Sequence, residues 1–297
     1  MAARGSLATL VLLVASTHAS SLAPSRIVTD SWRRLGLLRG GDADDGATEE
    51  DDENKRGLTR GEIAMKLNEL PTFCVTNEEG GVAMCRVKGE GLKTVPCVLF
   101  FLEPDDALST MEALQEAMPD TKLKLSLHGL GAAFELCNGW HHIKKSPHTV
   151  NVVDPADTTF FASDDPEPAK TPAGEQVEMR IVGNHALVNS TKEGMTALLD
   201  ENSIDVGSWT LPVFICNQLQ SKSVFPAFLR PSDLRKTWLA AGRAEADIPD
   251  DIVVVDLRLL VAQMLTDVND WSRYHLVPSD EAIALAQELQ GEPPAAA

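Results

Sequence analysis

The segment LCNGWHHIKK, residues 136–145, gathers Cys137, Trp140, His141 and His142. A thiol beside an imidazole is the pairing of nucleophilic catalysis, and two His with a Cys are common zinc ligands. The spacing argues against both. On a strand, adjacent His141 and His142 point to opposite faces and cannot easily share one metal, and His148 joins them only if the chain folds back. The segment therefore reads as polar residues of a loop. Paired carboxylates occur at Asp105 with Asp106, Asp164 with Asp165, and Asp250 with Asp251. They fall at expected helix starts or loops, where exposed backbone N–H groups favour negative charge, so capping outweighs acid–base work. A Gly-rich phosphate loop, GxSxG and HExxH do not occur. The expectation is a protein without enzymatic activity, with no catalytic, cofactor-binding or metal-ligating residue assigned and no cofactor. A small enzyme using Cys137 and a nearby His is the lesser alternative.

A second set of residues stands out by repetition. LPTFCVTN at 70–77 and LPVFICNQ at 211–218 share Leu, Pro and Phe at an offset of 141. Phe101, Leu102, Pro104 and Asp106 recur as Phe228, Leu229, Pro231 and Asp233 at an offset of 127. Pro119, Asp120 and Leu127 match Pro249, Asp250 and Leu257 at 130, with Ser126 facing Asp256. Three blocks in one order point to an internally duplicated unit. Phe73, Phe101, Phe214 and Phe228 thus hold matching places. Core packing is the plain reading of these rings; the sharper one is that some line a groove between the halves, where repeated units bind extended partners.

The elements that must position these residues follow from local pattern. Thr59 and Glu62 have capping-box spacing ahead of Ile63, Leu67 and Leu70, so a helix leads into LPTFCVTN, which Pro71 turns into a strand. Glu78–Gly81 reads as a hairpin turn into VAMCRVK. Val95–Leu102 is a strand covered on both faces, and Pro104 with Asp105 and Asp106 starts a helix striped by Leu108, Met111, Leu114 and Met118. KLKLSL alternates as a half-wet strand, with Ser126 placed to cap a short helix. In the second half Ser190 and Glu193 repeat the capping-box spacing before Met195, Leu198 and Leu199. VEMRIV is a further strand, and the stretch after Asp270 holds one short amphipathic helix. The expected fold class is α/β (α+β), with two pseudo-symmetric halves from an internal duplication, each a small sheet flanked by helices.

Charge and the first forty residues bear on location. The 297 residues carry 26 Lys and Arg against 44 Asp and Glu, a net charge of −18, which disfavours nucleic acid and anionic membrane surfaces as partners. Arg4 followed by LATLVLLVA and small residues has the anatomy of a signal peptide, about 1–21, and the run is too short to span a bilayer as a mature helix. Residues 22–40 are rich in Arg and Ser with one acid, as in an organelle transit peptide, and Ala19-Ser20-Ser21-Leu22-Ala23-Pro24 resembles the junction in bipartite presequences of complex plastids. Residues 41–56 hold eight acids and form an expected disordered tether. The first half is expected over 57–162, a Pro-rich acidic loop over 163–176, the second half over 177–275 and a tail over 276–297. Five cysteines without a CxxC pair read as small buried hydrophobes, against an extracellular destination, although Asn189-Ser190-Thr191 is a formal glycosylation sequon and plain secretion competes with plastid targeting. No hydrophobic anchor is seen in the mature chain; peripheral membrane association stays compatible.

Taken together, KLNELPTFCVTN, VLFFLEPDDAL, KLKLSLHGLGAAFEL, VGSWTLPVFICNQ and FPAFLRPSDLRKTWL resemble the Tic twenty-two family, a soluble component of plastid protein import. The resemblance spans roughly residues 60–265 and rests on pattern and order. It implies two similar α/β halves with apolar pockets, no enzymatic activity, a place between the plastid envelope membranes, and chaperone-like escort of unfolded preproteins alongside other translocon components. Under it, Phe73, Phe101, Phe214 and Phe228 become candidates for preprotein contact. The central acidic loop, QLQSKSV and the residues after 270 depart from the family pattern.

Overall fold

The computed structural model describes residues 56–88, 94–143, 176–221 and 223–291. The presequence, most of the acidic tether, the 163–176 loop up to residue 175, His148, the Asp164–Asp165 pair and the last six residues lie outside the described residues.

Thr59 and Glu62 do form a reciprocal capping box: the Glu62 amide donates to Thr59 Oγ1 at 3.2 Å and the Thr59 amide to Glu62 Oε2 at 2.8 Å. They start α1 (Arg60–Leu67), which ends before Pro71 opens β1 (Pro71–Asn77). After the turn come β2 (Cys85–Lys88) and β3 (Thr94–Phe101), then α2 (Pro104–Ala117), β4 (Leu123–Gly129), α3 (Leu130–Leu136) and α4 (Gly139–Ile143). The chain continues with β5 (Glu178–Val182), α5 (His185–Glu201), β6 (Pro212–Ile215), β7 (Phe225–Phe228), α6 (Pro231–Ala240), β8 (Val253–Asp256), α7 (Leu257–Met264), β9 (Tyr274–Val277) and α8 (Asp280–Gln290). The fold is α+β.

Two sheets result. In the first, β4 and β3 flank β1 antiparallel, β3 also pairs antiparallel with β2, and β5 joins β3 in parallel. In the second the order is β8-β6-β7-β9, with β8 and β7 antiparallel to β6 and β9 parallel to β7. The β2 hairpin apart, strand order and pairing sense are the same. The register repeats too: Phe73 faces Phe101 as Phe214 faces Phe228, Pro71 faces Gly129 as Pro212 faces Asp256, and Phe101 faces Val182 as Phe228 faces Val277. The Leu130 amide donates to the Leu70 carbonyl and the Leu257 amide to the Leu211 carbonyl, each at 2.9 Å.

This register corrects parts of the sequence reading. Leu257 corresponds to Leu130 rather than Leu127, so the offset of 127 found at Phe101 holds again at Leu130. Ser126 lies inside β4, its hydroxyl donating to the Cys74 carbonyl at 3.1 Å, and Gly129 takes the cap position of α3. Ser190 lies inside α5, which starts earlier because Asn184 accepts from the Leu187 amide; the Ser190 hydroxyl turns back to the Leu187 carbonyl. The buried face of α2 is Ala107, Thr110 and Leu114, with Leu108 exposed, because the smaller residues let the helix sit close. β5, expected with the second half, belongs to the first sheet.

The packing forms three cores. The inner faces of both sheets share one with α1, α3, α4 and α7. α2 and α8 close the outer face of the first sheet over Phe73, Val75, Phe101 and Leu125. α6 and Leu187 of α5 close that of the second over Phe214, Phe228 and Val254. Among the described residues, no helix is long and apolar enough to cross a membrane.

Candidate functional site

The two halves meet where β3 and β7 run out. Each strand is followed by Leu, one charged residue and a Pro that sets the first turn of a helix: Leu102-Glu103-Pro104 into α2 and Leu229-Arg230-Pro231 into α6. Corresponding positions thus carry opposite charges, and they meet: Arg230 Nη1 lies 3.4 Å from Glu103 Oε2. The guanidinium also grips Asp233 with Nε at 2.8 Å and Nη2 at 3.0 Å, and Nη2 donates to Glu281 of α8 at 2.6 Å. One half-buried cation is shared by three carboxylates, a geometry that suits the planar fork of Arg.

Burial and pairing pull against each other here. Burial opposes the charge on Arg230, yet hydrogen bonds to Asp233 and Glu281 hold its pKa above the usual range. Burial raises the Glu103 pKa in spite of Arg230, while the hydrogen bond from Arg230 lowers that of Glu281. Lys236 extends the cluster, reaching Asp280 at 3.0 Å.

Beside this cluster opens a cleft of about 280 Å³ that includes space continuous with solvent. Leu70, Pro71, Leu102, Leu229, Pro278 and Ala282 make its walls, and Glu103, Arg230, Asp233 and Ser279 its polar rim. The Ser279 hydroxyl accepts from the Ala282 amide at 3.1 Å as the cap of α8. The arrangement is a small apolar recess beside a rim whose two carboxylates share Arg230. The corresponding place across the seam is filled: a Cβ at Gly183 would lie 2.6 Å from Leu211 Cδ1.

The residues singled out from sequence lie elsewhere. Phe73, Phe101, Phe214 and Phe228 are all at most 4% exposed, set as cross-strand pairs in the two outer cores, and none presents its ring to solvent in this structure. The His pair sits on helix α4 rather than on a strand or loop, with ring centroids 6.3 Å apart. His142 Nδ1 is 3.8 Å from Asp205 Oδ2, and burial lowers its pKa. Cys137 is buried too; burial raises the thiol pKa well above its ordinary value, and the Cys137 carbonyl accepts from Trp209 Nε1 at 3.0 Å. All five cysteines are buried and free, and burial pushes Cys74 and Cys97 up to about 12, as suits packing groups. Among the described residues no three His, Cys, Asp or Glu side chains are arranged to hold a metal ion.

Glu103, Arg230 and Glu281 were missed in the sequence, although a signal existed. Within the matched blocks FLEPDD and FLRPSD, Glu103 and Arg230 occupy one of the two positions that differ, with opposite charges.

No protein-family model matches the chain, and no curated protein matches it. Among solved structures, the fold is similar to Tic22 from Plasmodium falciparum, over 77% of this chain and 97% of that one, at 16% identity and a TM-score of 0.48. It is also similar to Anabaena Tic22, described as a protein of protein transport, over 80% of this chain and 100% of that one, at 16% identity and a TM-score of 0.44. Both bear the name of the family that the sequence segments resemble.

Proposed function

We propose that the chain is a non-enzymatic carrier for protein import into a complex plastid, holding unfolded preproteins between the envelope membranes alongside other translocon components. The observation that carries this reading is the seam cleft, apolar-walled and acid-rimmed, in a chain of net charge −18. Apolar walls favour unfolded segments by roughly 25 cal/mol for each Å² taken from water. Carboxylates attract the basic targeting segments that preproteins carry, without a covalent step. Strand order and register common to both sheets support an origin by duplication of one α/β unit. The basic presequence over 1–40 supports delivery through the secretory pathway, and the description of the Anabaena protein agrees with the reading without carrying it. Phe73, Phe101, Phe214 and Phe228 remain proposed contacts on one condition: an outer helix must move for a client to reach them.

The test is binding of an unfolded, transit-peptide-bearing precursor to residues 57–297 at low and high salt. Binding that weakens as salt rises is expected, and no binding at either ionic strength sinks the carrier reading. A second reading, a secreted or lumenal interaction protein, is favoured by one observation: Asn189 of the sequon is exposed on α5. It predicts secretion of a tagged copy and a mobility shift on enzymatic deglycosylation that Asn189→Gln abolishes.

A further inference from the structure

α5 and α8 hold corresponding places. Each follows the strand that joins its sheet in parallel, each is capped two residues later, by Asn184 or Ser279, and each then crosses to the sheet of the other half. α5 lies along β6 and β8, and α8 along β1 and β4. Their anchoring is unequal. α5 has 17 residues, buries Thr191, Met195, Leu198 and Leu199, and leads on into β6. α8 has 11 residues and buries Ala282 alone; Leu285 and Ala286 are partly covered, and Ile283 and Leu289 are each 39% exposed.

Charge holds α8 at one end only. α8 lies against α2. α2 carries Asp105, Asp106, Glu112 and Glu116 with no Lys or Arg, and α8 carries Asp280, Glu281 and Glu288 with none. Asp105, Glu112 and Glu116 lie on the exposed face of α2, opposite its buried Ala107, Thr110 and Leu114, so α2 offers α8 no cation to hold it. The ion pairs of α8 all lie in its first turn, Glu281 with Arg230 and Lys236 and Asp280 with Lys236, where Asp280, Glu281 and Lys236 are each more than half exposed and open to screening by salt. Beneath α8 lies the outer core of the first sheet, with Phe73, Phe101 and Leu125.

We propose that α8 is a displaceable plug in a helix-docking groove on the outer face of the first sheet, and that a basic amphipathic helix takes its place. The incoming helix buries its apolar face on β1 and β4 and brings cations to the flank of α2, which carries four acids and no base, where α8 brings none. Departure of α8 also removes Ala282 from one wall of the seam cleft, so groove and cleft join into a longer surface. The proposal rests on the carrier reading and names the class of segment that is held. A plug docked about nine-tenths of the time lowers the apparent affinity of a competitor roughly tenfold.

The test compares the full chain with a chain lacking residues 280–297. The probes are a labelled synthetic amphipathic helix of Leu, Ala and Arg and its counterpart with Glu for Arg. The truncated chain should bind the Arg peptide at least about tenfold more tightly than the full chain, with no such gain for the Glu peptide, and an unlabelled peptide of residues 278–291 should compete. In the full chain, adding the Arg peptide should strip hydrogen-exchange protection from the α8 amides. If the truncated chain fails to fold, Leu285→Asp in the full chain undocks α8 and should give the same gain. A folded truncated or Leu285→Asp chain with no gain overturns the proposal, as does binding that leaves α8 protected. Precursor binding with α8 still docked keeps the carrier reading and overturns the plug. Capture of the 278–291 peptide by a truncated chain that binds no precursor keeps the groove and overturns the carrier.

Discussion

The first turns of α3 and α7 occupy corresponding places, yet they are held by opposite means. At α3 the cap position is Gly129, which has no side chain, and the missing acceptor comes from Asn68 at the end of α1, whose Oδ1 takes the Ala132 amide at 3.1 Å. Gly131 lets α1 approach so closely that a Cβ there would lie 2.4 Å from the Ala64 carbonyl oxygen. At α7, Asp256 caps its own helix, accepting from the Arg258 amide at 2.9 Å and from the Leu211 amide at 3.1 Å. Arg258, at the place of Gly131, is fully buried; it pairs with Asp256 through Nε at 2.8 Å, donates to the Asp205 and Val206 carbonyls, and lies over Trp209. One half fills the space beside its helix with another helix. The other fills it with an ion pair. A shared strand order therefore does not require a shared way of satisfying buried backbone groups.

The sharpest way to break the comparison is Arg258→Ala. It leaves Asp256 charged in the interior with backbone donors alone and strips the partner from two carbonyls. Loss of one member of a buried pair costs about 3–5 kcal/mol. Urea unfolding should show a loss of that order, and a loss below about 1 kcal/mol, the scale of an exposed pair, would mean that the pair is hydrated rather than buried.

The asymmetry also explains what could be read in the sequence. The Leu-Pro-Phe starts of β1 and β6, the Pro starts of α2 and α6, and the pairing of Phe73 with Phe214 by position are local grammar, so they were legible. The capping-box spacing of Ser190 and Glu193 was also local but misleading, because Asn184 begins the helix six residues earlier. The membership of β5 in the first sheet and the exchange of α5 and α8 depend on parallel pairing and long crossings, which leave no periodic trace. The seam cluster was hidden for the same reason: Arg230 is 127 residues from Glu103 and 51 from Glu281. The WHHI segment makes a single helical turn, too short for its periodicity to separate it from a loop.

Gly131→Ala tests the other half of the comparison with a smaller change. The added methyl meets backbone, which cannot swing aside, so α1 and α3 must separate at their tightest point. Overpacking of this kind costs about 1–3 kcal/mol. Thermal unfolding should register it, and hydrogen exchange should show the loss of protection concentrated in α1. A neutral or stabilising result, as expected for Ala over Gly in an unconstrained helix, would show that this contact has slack.

The smallest effect separates α1, which supports α3 from outside, from the self-capped α7. The hydrogen bond from Arg56, then that from the Thr59 amide, holds the Glu62 carboxyl down to about 2, against an ordinary value of 4.5. A depressed carboxyl stabilises the fold fully above its unfolded pKa, and that contribution drains as pH falls from 4.5 toward about 2. A side-chain carboxyl titration followed by NMR should therefore give Glu62 a midpoint near the lower value, and Arg56→Ala should raise it without abolishing the shift, because the Thr59 amide remains. An unshifted midpoint in the unaltered chain would mean that the capping box does not persist in solution. The helix that supports α3 would then be held by packing alone.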